Sequence, residues 1–348
     1  VETAFDALAL LTQRYAFGEV AALLGAGAGG ERLTNRDVAQ VQQLCAFGQR
    51  LIDLDAEDFG ELDSAAGANV EHEVASRFNG EAVPEYLRER ALACRVPQSP
   101  REKSRGALGT LKPTYRLLLE VIDARFRRHE TNAVVAAVHI ASEYAPLLAW
   151  EHVLGHAADP IRMPNAVGGE GSVWGDFDDR ECPHTKTEKS AARRALTVAQ
   201  ENDPGWRTYL ARQHSNVSHA FGVCAAECRR PCSVYTRLST AEAAIVTHGC
   251  RLAMVLNDSA IMRLRHSAPV GHGFGVPSPD QLLETWGRTR TSLGRIDPSV
   301  LDDDGFALPG FAALVSALAH ESLVPDTLLA DTGSEITGVL GEGAKARA

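Results

Sequence analysis

Residues 111–160, LKPTYRLLLEVIDARFRRHETNAVVAAVHIASEYAPLLAWEHVLGHAADP, constrain the fold of this chain more than any other stretch. They read as two long helices joined by a tight turn. Pro113 suits a first helical turn, where its fixed backbone angle is already helical and its missing N–H had no partner to lose. Leu117, Leu118, Val121 and Ile122 recur at helical spacing, and Asp123 stands four residues before Arg127 as a supporting pair. The dipeptide Thr131-Asn132 offers side-chain oxygens to cap the second helix, whose apolar run begins at Val134. Pro146 predicts a kink, because it removes a backbone donor and crowds the carbonyl four residues earlier. This otherwise apolar helix also carries His139, Glu143, Glu151 and His152, with His156 just beyond. A plain core helix does not need so many ionisable groups.

Alanine is abundant elsewhere, aromatic residues make up only 6%, and runs of β-branched residues are short. The expected fold is therefore all-α, a multi-helix domain with a helical N-terminal layer and long ordered loops. Residues 1–95 form that layer, with a helix over residues 35–54 behind a Thr34/Asn35 cap. Residues 96–110 turn to Pro, Ser, Arg and Lys and read as a protease-sensitive linker. Residues 111–292 are the helical core, including one helix over residues 240–265, and residues 293–348 hold a C-terminal helix and a fraying tail. A net charge of −10 argues against a nucleic-acid partner, which calls for Lys and Arg to displace counterions from phosphates. No stretch is read as the run of about 20 apolar residues that spans a bilayer, and the first residues are acidic where a secretory signal is basic. The expectation is a cytoplasmic protein with no membrane partner. Seven cysteines, an odd number, then read as free thiols or metal ligands.

Two groups of residues suit chemistry. His139, Glu143, His152 and His156, with Glu120 from the preceding helix, combine imidazole and carboxylate, a donor set for iron or zinc. The second group runs from Cys182 and His184 to His214, His219, Cys224, Cys228 and Cys232. Its cysteines are spaced C-x3-C-x3-C, which on a continuous helix lines them along one ridge. Four ligands such as Cys182, His184, Cys224 and Cys228 would satisfy a structural zinc, although the usual C-x2-C spacing is absent. The other reading of these cysteines is burial without chemistry. A long segment with Gly168, Gly169, Gly171 and Gly175 around Trp174, followed by Asp176, Asp178 and Asp179, reads as an ordered loop that covers a pocket. It is not a phosphate-binding P-loop, since GGEG lacks the GxxxxGK[ST] pattern and no strand precedes it. No GxSxG elbow appears. Asn257-Asp258-Ser259 starts like a terpene-cyclase metal box but continues with Ile261 and Arg265, where a serine and an acid belong.

The loop with Met163-Pro164, then His184, then Ser218-His219-Ala220-Phe221-Gly222-Val223-Cys224 resembles the histidine-ligated haem-dependent aromatic oxygenases of the tryptophan-dioxygenase-like group. Here one extra residue separates His219 from Cys224. The resemblance implies a haem with His184 as axial ligand, or His214 in its place, and Cys224 as a tether. On this reading the chain is a small-molecule oxygenase with a histidine-held iron or haem centre, and Arg212 or Arg207 anchors an anionic substrate group by a bidentate contact. The competing expectation is a non-catalytic helical interaction protein with a structural zinc or no metal.

Overall fold

The computed structural model describes residues 2–55, 82–170, 172–176, 182–267 and 275–345. These residues form helices, turns and loops with no strand, so the all-α expectation holds. The chain divides into two compact units, one made of Val1–Arg95 and Asp326–Ala348, the other of Val96–Pro325.

In the first unit the helix Asn35–Ile52 begins with a capping box, in which Thr34 accepts from the Asp37 N–H and the Asp37 side chain accepts from the Thr34 N–H. Its buried face carries Val41, Leu44, Leu51 and Ile52. The chain end that read as a fraying tail instead forms the helix Leu328–Lys345, which packs on Asn35–Ile52 and buries Leu329 and Ile336. Polar ties to the helix Glu85–Cys94 fix it there: the Tyr86 hydroxyl donates to Glu335 at 2.7 Å, and Arg90 pairs with Asp331 at 2.6 Å and with Asp326. Small residues do not make a tail when every fourth one or so is a buried aliphatic.

The second unit is built around the helix Thr131–Leu154. Helices Lys112–Arg127, His214–Ala226, Thr240–Asn257 and Phe311–Ala319 all pack against it. Two of those contacts are backbone-close. A Cβ on Gly249 would lie 2.7 Å from the Cβ of Ala149, and one on Gly222 would lie 3.1 Å from the Pro146 ring. By length and composition this central helix could also cross a bilayer, with a mean hydropathy of 1.3, which corrects the reading that no stretch is apolar enough. Two-thirds of that window (67%) is buried within the protein.

Two local expectations change, at Thr131 and after Asn257. Thr131 is the first helical residue rather than a cap, and its hydroxyl donates to the Pro277 carbonyl at 2.6 Å. The helix continues through Pro146, and the Leu147 N–H that follows donates to the Ser218 hydroxyl at 3.3 Å. The helix expected over residues 240–265 breaks after Asn257 and resumes as Ala260–Ser267.

Residues 96–110 are not a loose linker. Ser99 donates to Asp203 at 2.9 Å, the Trp206 indole donates to the Pro97 carbonyl at 2.8 Å, and Arg105 stacks over the Trp206 ring at 5.4 Å. Arg105 also makes a fork with Asp159, both bonds 2.8 Å, in which the Asp159 side chain is 1% exposed. Pro and Ser set the turns here, but burial and bidentate pairing hold the segment down.

The Gly249–Ala149 contact sets a stability test. Gly249→Val should cost about 1–3 kcal/mol in urea unfolding, because neither backbone can retreat from the added methyls. Gly287→Ala, in a helix with nothing within 4 Å of the new Cβ, should be neutral or stabilise by about 0.5–1 kcal/mol.

Candidate metal centre

Among the described residues, one group brings metal-type donor atoms together: a sulfur of Cys182, a ring nitrogen of His184 and the sulfur of Cys228 all lie within 4.8 Å of one another. Local structure explains how each arrives. Cys182 and His184 lead into the helix Lys186–Arg194, whose first turn is a capping box: the Glu188 N–H donates to the Thr185 hydroxyl at 3.2 Å, and the Thr185 N–H donates to the Glu188 carboxylate, also at 3.2 Å. The same carboxylate oxygen lies 3.1 Å from Nδ1 of the buried His184 ring. A carboxylate on Nδ1 fixes the ring and leaves the lone pair on Nε2, the usual arrangement behind a metal-bound histidine. Sequence reading missed Glu188, although the Thr185-x-x-Glu188 spacing that positions it was visible.

The cysteines do not line one helical ridge as their spacing suggested. The helix His214–Ala226 ends before Cys228, whose N–H closes the helix on the Val223 carbonyl at 2.9 Å. The chain then folds back, so that the Cys232 N–H donates to the buried Cys224 sulfur at 2.8 Å. Cys224 is thereby in a sulfur cluster with Cys228 and Cys232, and those neighbours together with burial push its thiol well above the ordinary range. A cation reverses that preference, because a coordinated thiol gives up its proton. Turn and helix end, not helix periodicity, produce the grouping.

The histidines of the central helix are not gathered into one site. His139 and His152 are thirteen residues apart, about 20 Å along a helix at 1.5 Å per residue. His139 bonds Glu143 at 3.1 Å. Burial works to raise the Glu143 carboxyl, but that hydrogen bond and the charges of His139, His219 and Arg265 outweigh it and hold it below its usual value. His219, within reach of the same carboxylate, is lowered by burial, with Glu188 and Glu143 opposing. His152 is exposed and sets its ring 5.8 Å from that of His320. Glu151 is an N-terminal cap for the neighbouring helix, accepting from the Leu111 N–H at 2.8 Å and from the Thr110 hydroxyl.

His156 and His214 belong to the buried scaffold. His156 Nδ1 accepts from the Asp159 N–H at 3.0 Å, and His214 Nε2 lies 2.9 Å from the Ala157 carbonyl. Burial pushes both rings down to about 4, with Asp159 acting the other way in each case. Arg207 and Arg212 are exposed on the helix Asp203–Arg212, with no ion pair to either among the described residues. The described part of the 168–179 loop is docked rather than open: the Trp174 ring lies 4.6 Å from that of Phe221, and its indole donates to the Ala192 carbonyl at 3.1 Å. Gly171, Asp178 and Asp179 lie outside the described residues.

Comparison of the chain with protein-family models, with curated proteins and with solved structures gave no match.

The two buried histidines give the fold an acid dependence. An unfolded histidine takes up its proton near pH 6.5 and these folded ones near 4, so between those values the unfolded chain binds more protons. Stability present above pH 6.5 should fall as pH drops toward 4, by up to about 3 kcal/mol per histidine. Urea midpoints measured at neutral and mildly acidic pH should show this loss. His214→Gln, which keeps an N–H for the Ala157 carbonyl, should flatten it; an unchanged acid slope would contradict the assignment.

Proposed function

We propose that this chain is a zinc-binding helical protein, in which one Zn²⁺ held by Cys182, His184, Cys228 and Cys224 fastens the segment before the helix Lys186–Arg194 to the end of the helix His214–Ala226. The observation that carries the reading is the approach of the Cys182, His184 and Cys228 donor atoms to within 4.8 Å. A tetrahedral zinc with ordinary bond lengths sets such atoms about 3.5–4 Å apart, a small contraction from the present spacing. Cys224 lies outside that 4.8 Å group and is taken as the fourth ligand because it is buried, adjoins Cys228, and its sulfur already accepts a backbone N–H. Sulfur and imidazole are zinc donors, and four of them close the coordination shell, which favours a structural ion over a catalytic one.

On this reading the protein works through binding rather than oxygen chemistry. Three soft thiolates beside His184 suit a bare ion better than the axial face of a haem, so the zinc reading takes precedence over the oxygenase implied by the resemblance. The test is metal analysis of purified protein together with its absorption spectrum. One zinc per chain and no Soret band after added haem is the expected result, and cobalt substitution should give intense thiolate-to-metal absorption. His184→Ala and Cys228→Ser should each lose the metal, whereas His139→Ala should retain it. A haem band that disappears in His184→Ala would replace this reading with the oxygenase.

A further inference from the structure

A second feature, independent of the metal, lies along the helix Thr240–Asn257. Thr240, Ala244, Thr247, His248 and Arg251 recur at helical spacing and form the floor of an open cleft of about 660 Å³. Arg295 and Ile296, in the turn after the helix Pro279–Leu293, make one wall, and Tyr235 makes another. The volume falls in the range of small-molecule sites. Eleven residues separate Thr240 from Arg251, so the floor is about 16 Å long at 1.5 Å per residue.

Charge distinguishes this cleft from a plain surface groove. Neither Arg251 nor Arg295 forms an ion pair or hydrogen bond among the described residues, in a chain whose acids outnumber its basic residues, 45 to 35. The nearby carboxylates already have partners, and one of them, Asp297, is held by His248 of the cleft floor. Asp297 is bonded to His248 at 3.0 Å and to the Ser299 hydroxyl at 2.6 Å, and Glu242 closes the capping box with Ser239. The hydroxyls of Tyr235 and Thr247 lie 2.8 Å apart on the same lining, and Ala243, Ala244 and Ile296 supply an apolar side.

We propose that this cleft binds an organic phosphate, with the phosphate between Arg251 and Arg295 and the organic part along Ala244 and Tyr235. Two guanidinium groups offer planar forks to a group with several equivalent oxygens. The apolar side gives a reason for an organic substituent rather than free phosphate alone.

The experiment is calorimetric titration of the metal-replete full chain with phenyl phosphate, inorganic phosphate and benzoate. Saturable binding of phenyl phosphate is expected, weaker binding of inorganic phosphate, and still weaker binding of benzoate. Arg251→Ala and Arg295→Ala should each reduce affinity roughly tenfold or more. Both side chains are exposed, so the variants should keep the wild-type helical circular dichroism and melting temperature. Arg36→Ala, at an exposed site in the other unit, should bind as wild type. Three results would overturn the proposal: no phenyl phosphate binding at millimolar concentration, equal binding of benzoate, or full affinity in the Arg251→Ala/Arg295→Ala double variant with native circular dichroism.

Discussion

A helix that is apolar nearly all the way round has to be covered on every side, and the larger unit of this protein is organised by that requirement. Thr131–Leu154 carries Val134, Val135, Ala137, Leu147, Leu148 and Trp150, all buried, on faces that no single neighbour could cover. Five helices therefore close around it, Ala260–Ser267 being the fifth. The burial of a large apolar residue is worth about 1.5–3 kcal/mol, so the central helix alone is a major term in the stability of this unit. Alanine and glycine at the contacts let backbones approach, which is why Gly249 and Gly222 sit opposite Ala149 and Pro146.

Such a core can tolerate ionisable groups only if each has a partner. Glu151 spends its carboxylate on Thr110 and Leu111, just before the helix Lys112–Arg127, and Asp159 takes both prongs of Arg105. The neutral rings of His156 and His214 bond the backbone of the same short segment. A buried ion pair of this kind adds little net stability compared with an apolar pair, but losing one partner costs about 3–5 kcal/mol. Its consequence here is specificity of position: residues 97–105, poor in apolar side chains, have a single way to dock.

The Cys182–His184–Cys228 group and the Arg251–Arg295 cleft differ from that scaffold in the same respect. In the scaffold, polar groups face one another and neutralise. At the first place sulfur and imidazole donors come within 4.8 Å, and at the second two exposed arginines line one cleft.

The sequence by itself determined the all-α class, the pair of helices over residues 111–154, the Thr34 cap and the presence of metal-type donors around residues 182–232. These follow from local period and capping chemistry, which act within a few residues. It misread features that depend on distant partners: the chain end as a frayed tail, residues 96–110 as a loose, protease-sensitive segment, and Thr131 as a cap. It also listed His139, Glu143, His152 and His156 together because they are close in sequence, although a straight helix carries His139 and His152 about 20 Å apart. Only the tertiary structure decided which donors meet. Cys182 and Cys228 come together because a capping box aims one segment and a helix end turns the other back, and no periodicity in the chain encodes the distance between them.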